Sequence, residues 1–149
     1  HMPPGEAHGF LEISIGSFLR AWARQHNAGR VYGETGFRLR RNPDTVRSPD
    51  VSFVETARLP AMQPQAGFIE GAPTLAVEIV SPGDTWREVE SKTRLYLDCG
   101  VREVWIVEWE SRTVEVRRPG EASHIYLESE TLQSAVLPGL ELKVCEIFE

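Results

Sequence analysis

The chain has 149 residues, 41% hydrophobic and 26% charged, which fits one ordinary globular domain of about 100–200 residues. That composition excludes a disordered tail, a collagen-like repeat and a coiled coil. The formal net charge of −6 is unevenly spread. Residues 1–50 carry seven Arg against five acidic residues; residues 51–149 carry nine Lys or Arg against seventeen acidic ones. So acidic a chain is a poor stand-alone nucleic-acid binder, because phosphate neutralisation dominates that affinity. Any nucleic acid should face the N-terminal third.

No apolar run approaches the roughly 20 residues of a bilayer span, so no membrane association is expected. The opening HMPPGEAH has no apolar signal core, and His1-Met2 reads as vector-derived. Cys99 and Cys145 do not make a disulfide framework. Without a signal segment they read as reduced thiols, and the expected location is cytoplasmic. Only two of the sixteen basic residues are lysines, Lys92 and Lys143. In a chain that prefers Arg this strongly, each lysine position calls for a reason.

Residues 10–26 predict an amphipathic helix, with Leu11, Ile15, Phe18, Leu19 and Trp22 at spacings of three and four. Asn27 and Gly29 supply its stop. Arg30–Tyr32 and Gly36–Arg40 alternate as strands do, Asn42-Pro43-Asp44 is a turn, and Val51–Val54 is a short strand. Residues 55–73 hold three prolines and little periodicity, and read as a long loop. Thr74–Val80 (TLAVEIV) is apolar on both alternating faces, as a central strand covered on both sides would be.

Ser81-Pro82-Gly83 ends that strand. Thr85 with Glu88 fits a capping box, and the helix it opens runs to Cys99, before Gly100. Val101–Trp109 and Thr113–Arg118 are strands joined at Ser111-Arg112, His124–Leu127 adds an edge, and a short helix closes the chain. The order predicts one α/β domain over residues 1–149, a mixed central sheet flanked by helices. The strand at 74–80, its helix and the next strand form a right-handed βαβ unit with parallel strands.

Three residues break the local pattern. Glu78 lies inside the apolar run, where a lone ionised carboxylate needs a partner, a metal or a raised pKa. A strand-end glutamate reaching water, or a structural ion pair, is the alternative for that residue alone. Lys92 falls among Val89, Leu95 and Tyr96 on the sheet-facing stripe of its helix, where lysine is rarely buried unless paired. Pairing with Glu88 or snorkelling is its plainer role. Asp50 follows Pro49 and opens a strand, a common place for a turn aspartate. Together, two acids and a lysine suit phosphodiester hydrolysis. Two close carboxylates attract a hard divalent cation, the cation activates water, and the lysine orients it or stabilises phosphate charge.

At these residues the sequence resembles the Uma-type "putative restriction endonuclease" family of bacteria, within the PD-(D/E)XK nuclease superfamily. The matching stretches are HGFLEISIGSFLRAWARQH, SPDVSFVETARLP, the run from Ala72 to Gly120, and VLPGLELKVCEIF. The resemblance implies a restriction-endonuclease-like fold. It implies that Asp50, Glu78 and the backbone carbonyl of Ile79 are ligands of Mg²⁺ or Mn²⁺. The superfamily lysine two residues after the second acid is Val80 here, and Lys92 on the next helix matches the lysine of the Uma-type family. Glu12 matches an accessory acid, against a plainer reading as part of a solvated helix face.

No zinc spacing is visible among His8, His26 and His124, and neither a serine-hydrolase elbow nor a phosphate-binding loop is present. The tryptophans read as core or interface, except Trp86 near the proposed site. Arg38, Arg40, Arg41 and Arg47 are candidate phosphate contacts, or else a solvated strand face. The leading expectation is a metal-dependent DNA endonuclease acting as a homodimer. The alternative is an inactive nuclease-fold module that binds nucleic acid or protein.

Overall fold

Helix α1 (Pro4–His26) begins a turn and a half before the periodicity predicts. The computed structural model describes residues 4–61, 64, 65 and 67–149; the expectation for His1-Met2 therefore lies outside the described residues. Ala7 extends the buried stripe of Leu11, Ile15, Leu19, Trp22 and Ala23, so tertiary packing recruits the glycine-containing first turns. Each fully buried Leu or Ile contributes on the order of 2 kcal/mol.

Strands β1 (Gly29–Gly33), β2 (Gly36–Arg40), β3 (Thr45–Arg47) and β4 (Val51–Glu55) follow. The predicted loop at 55–73 is instead a 3₁₀ turn (Thr56–Ala61), β5 (Pro64–Gln65) and β6 (Phe68–Glu70); its positions 62, 63 and 66 lie outside the described residues. The correction has a tertiary cause. β6 pairs parallel with β2, and Ile69 joins Phe37 and Val54 in a small separate core. Runs of two and three residues are too short for an alternation to register.

β7 (Leu75–Val80) leads through a loop to α2 (Trp86–Asp98), then β8 (Glu103–Glu108), β9 (Thr113–Arg117) and β10 (His124–Tyr126). The capping box is present: Thr85 Oγ1 accepts from the Glu88 N–H, and the Glu88 carboxylate accepts from the Thr85 N–H. Gly100 takes φ +104 after the helix, a conformation that side chains strain to adopt. The buried side of α2 is Thr93 and Tyr96 with Val89 and Leu97 against it. Leu95, expected on that face, is not part of it. β11 (Thr131–Leu132), β12 (Leu142–Lys143) and α3 (Val144–Ile147) finish the chain.

Among the described residues the main sheet has the order β1-β4-β7-β8-β9-β10, and a smaller one the order β3-β2-β6-β5. β7 and β8 are parallel, as the βαβ reading requires, and β4 pairs antiparallel with β7. One face of the main sheet packs on α1 and the C-terminal segment; the other packs on α2. No described helix is long and apolar enough to cross a membrane. Cys99 and Cys145 are free thiols.

Glu103 ties the C-terminal segment to the sheet. It is wholly buried and accepts from Trp105 Nε1 at 2.8 Å, Arg118 Nε at 2.8 Å, Ser134 Oγ at 2.6 Å and the Ala135 N–H at 2.9 Å. Its removal orphans a cation and three donors at once. Glu103→Ala is expected to cost roughly 3–5 kcal/mol, read as a fall in chemical-denaturation midpoint. A change under about 1 kcal/mol, the size of an ordinary surface substitution, would show that the network is not what holds this segment.

Candidate active site

β7 is the central strand because its neighbours bury both of its faces: Leu75, Ala76, Val77 and Ile79 are all enclosed. Side chains alternate across a strand, so Glu78 lies on the same face as Ala76, towards α2. Val51 pairs with Val77 in the antiparallel register between β4 and β7. Continued by one residue, that register sets Asp50 opposite Glu78. Asp50 Oδ2 also accepts from the Ile79 N–H at 2.7 Å, which holds the carboxylate at the end of the pair.

The other two elements close around these acids. On α2, Lys92 and Tyr96 are four residues apart and thus on one face. Tyr96 donates its hydroxyl to Glu78 Oε1 at 2.5 Å, and Lys92 Nζ lies 3.8 Å from Glu78 Oε2. One helix therefore holds both oxygens of Glu78. From α1, His8 Nε2 lies 3.2 Å from Asp50 Oδ1, and His8 Nδ1 lies 3.6 Å from Glu12 Oε2. Asp50, Glu78, Lys92 and Ile79 all line one cleft of about 400 Å³, with His8, Asp84 and Glu88.

Electrostatics follow from this crowding. Burial, opposed by the Tyr96 hydrogen bond and reinforced by the charge of Asp50, raises the Glu78 pKa to about 7. Burial and the neighbouring Glu78 carboxylate push the Tyr96 phenol upward, so it stays a donor. Burial and the charge of Glu34 raise Glu12, with His8 opposing and Asp50 adding to the rise.

Among the described residues no group of three or more His, Cys, Asp or Glu side chains is arranged to hold a metal ion. Mg²⁺ does not require one: it commonly keeps several waters and takes one or two carboxylates. Asp50 and Glu78 are hard oxygen donors in electrostatic contact in a half-open cleft, and the Glu78 pKa is raised first by burial and then by the charge of Asp50, both of which a bound cation would offset. The donor set fits such an ion.

The candidate phosphate contacts are dispersed. Arg38 is directly opposite Glu70 in the β2–β6 pairing and bonds it through Nε at 2.8 Å and Nη2 at 2.5 Å. Arg41 bonds the other oxygen of Glu70 at 2.9 Å. Arg47 is exposed and its charge reaches Tyr96. Arg40 shares a shallow groove with Arg87 and Arg94 of α2. Glu12 stands beside His8 at the edge of the acid cluster and feels the charge of Asp50.

Two residues of the site escaped the sequence reading. Tyr96 registered only as an apolar helix position. His8 has no metal-ligand spacing in the sequence, yet its place three residues before Leu11 and seven before Ile15 sets it at the edge of the buried stripe of α1. His26 and His124 are structural: one stacks on Trp22 with centroids 4.7 Å apart, the other lies against Tyr126.

The family model described as "Putative restriction endonuclease", Uma2, matches residues 1–145. The chain belongs to the Uma2 family. Among solved structures, this Uma2 chain is similar to one described as a putative nuclease belonging to DUF820, from Anabaena variabilis. The two share 21% identity with a TM-score of 0.82, covering 99% of this chain and 83% of that one, which shows a common fold. No curated protein matches the chain.

The burial of Glu78 has a consequence for stability without metal. Its carboxyl pKa is higher folded (about 7) than at its ordinary value of 4.5, so the folded state holds the proton more tightly. Stability from this group is complete below about pH 4.5 and is lost as pH rises through about 7. Glu78→Gln should therefore leave metal-free stability little changed at pH 4.5 and raise it by about 3 kcal/mol at pH 8. Melting curves across that range check it, and a difference independent of pH would contradict the assigned burial.

Proposed function

We propose that this Uma2-family nuclease is a divalent-metal-dependent endonuclease hydrolysing phosphodiester bonds in DNA. The observation that carries the reading is the convergence of Asp50, Glu78 and Lys92 on one cleft, produced by the β4–β7 register and the crossover of α2. Asp50 and Glu78 are the ligands proposed for Mg²⁺ or Mn²⁺, with the carbonyl of Ile79 as a third. Bound there, the ion would supply Lewis-acid polarisation of a phosphate oxygen and a water of lowered pKa.

The chain's own residues do the rest. Tyr96 fixes Glu78 in one orientation by the short hydrogen bond to Oε1. The Ile79 N–H does the same for Asp50. Lys92 presents a compact, half-exposed ammonium beside Glu78, free to orient water or to stabilise charge on the phosphate as it builds. An Arg at that position presents a planar fork instead, which explains why this Arg-rich chain keeps a lysine. Glu12, through His8, is the accessory acid of the proposal. Arg40 and Arg47 remain the phosphate contacts that are free of Glu70, and a homodimer in the cytoplasm would extend the surface available to DNA.

The pairing of Arg38 and Arg41 with Glu70, together with the net charge of −6, favours the second reading, an inactive nuclease-fold module. Plasmid, single-stranded DNA and RNA, each incubated with Mg²⁺ and with Mn²⁺, separate the two. Hydrolysis of DNA that disappears on chelation is the expected result; no hydrolysis under any condition overturns the endonuclease.

Lys92→Ala is expected to lower cleavage by about 10²-fold or more, within the range of a lost charge-stabilising group, while the melting temperature without metal stays within a few degrees. Lys92→Arg should not restore cleavage. Loss of activity only in proportion to unfolded protein would make Lys92 a structural counter-ion. Millimolar Mg²⁺ or Mn²⁺ should raise the melting temperature by mass action, and Asp50→Asn should abolish that rise.

A further inference from the structure

The two acids of the cleft are held in matching ways by helices on opposite faces of the sheet. Glu78 accepts from the Tyr96 hydroxyl through Oε1 and sets Oε2 3.8 Å from the Lys92 ammonium, both groups on α2. Asp50 accepts from the Ile79 N–H through Oδ2 at 2.7 Å and meets His8 Nε2, on α1, through Oδ1 at 3.2 Å. Tyr96, Lys92 and the Ile79 N–H all have a part in the proposed chemistry. His8, as a donor to Asp50, has none. The turn and a half of α1 that precedes its periodic stripe carries this histidine, and the buried Ala7 docks that turn.

The acceptor fixes the proton on that bond. An ionised carboxylate only accepts, so Nε2 carries the hydrogen and has no lone pair to offer a cation. Nδ1, on the other side of the ring, lies 3.6 Å from Glu12 Oε2, outside hydrogen-bond reach. The bond to Asp50 is therefore the ring's only one among the described residues. The Asp50 side chain is 14% exposed, so few waters can stand in for a lost donor. A carboxylate offers about four lone-pair positions, and the two donors leave one free on each oxygen.

We infer that His8 is a positioning residue for Asp50: its Nε2–H and the Ile79 N–H clamp the carboxylate from two sides, so that its free lone pairs are set to hold a divalent cation in the acid cleft. The role in holding the ion rests on the metal-dependent reading of the site; the clamp itself rests on the hydrogen bonds. His8 stays outside the set of groups that touch the ion, since hard Mg²⁺ takes oxygen ligands and Nε2 is occupied by its proton. Hydrogen-bond partners of a ligating carboxylate are worth roughly 10–100-fold in metal affinity.

The test compares the full unsubstituted chain with His8→Ala, His8→Gln and His8→Asn. The amide nitrogen of Gln reaches the place of Nε2; that of Asn reaches the place of Nδ1. Melting temperature against Mg²⁺ or Mn²⁺ concentration gives the apparent metal affinity of each chain, and melting without metal gives the folded fraction at which they are compared. His8→Ala and His8→Asn should weaken the affinity by about 10-fold or more, and His8→Gln should keep most of it. Cleavage by His8→Ala should recover at saturating metal. Unchanged affinity in His8→Ala, equal affinity in the Gln and Asn variants, or a cleavage loss that saturating metal does not restore overturns the inference. Ring-nitrogen NMR of His8 in the metal-free chain tests the clamp by itself: Nε2 should carry a proton, and its shift should move on Asp50→Asn. A bare Nε2 overturns the clamp. Metal binding and DNA cleavage with no dependence on His8 refute the positioning role and leave the endonuclease standing. A protonated Nε2 that responds to Asp50→Asn, in a chain that binds no metal, refutes the endonuclease and leaves the clamp.

Discussion

The pairing of β7 with β4 on one side and β8 on the other is the constraint on which this molecule turns. Antiparallel pairing with β4 sets Asp50 opposite Glu78. Parallel pairing with β8 forces the chain to cross over, and the crossover is α2, which returns across the face that Glu78 occupies. A slip of one residue in β7 would turn Glu78 towards α1 and bury Ile79 against α2. Apolar packing on both faces forbids that slip, since Leu75, Ala76, Val77 and Ile79 would all change sides. The site is thus held in register by the core.

Around that strand the protein tolerates charge crowding where function needs it and neutralises charge where it does not. Glu103 is the more deeply buried acid, yet four donors surround it and it serves as a clamp. Glu78 is less well served. It has one short hydrogen bond, a half-exposed ammonium at 3.8 Å and a second carboxylate beside it, and its pKa rises to about 7. A buried acid left short of partners costs stability, and such groups cluster where chemistry is done. The contrast between the two glutamates, one opening β8 and one inside β7, separates scaffold from site more sharply than burial does.

The same contrast applies to the arginines. Glu70 draws Arg38 and Arg41 into a surface network on the small sheet, where ion pairs are individually weak. Arg40 instead lines a groove beside α2 with Arg87, Glu90, Arg94 and Asp98. Trp86 stands 64% exposed at the start of α2, while Trp22 and Trp105 are buried.

Local signals carried much of this structure. The capping box, the apolar run of β7, the stripe of α1 and the misplaced Glu78 and Lys92 are readable because each depends on residues within four positions of one another. The sequence by itself therefore determined the βαβ core with its parallel strands and the set of residues from which a site could be drawn. It could not determine what lies next to what across long separations. The partner of Arg38 sits in a strand of three residues, too short for a pattern. His8 and Asp50 are 42 positions apart, and Tyr96 and Glu78 belong to different elements. Those contacts arise only when α1 and α2 dock on opposite faces of the sheet. Docking is decided by the sum of many apolar contacts over the whole core, which no local spacing encodes.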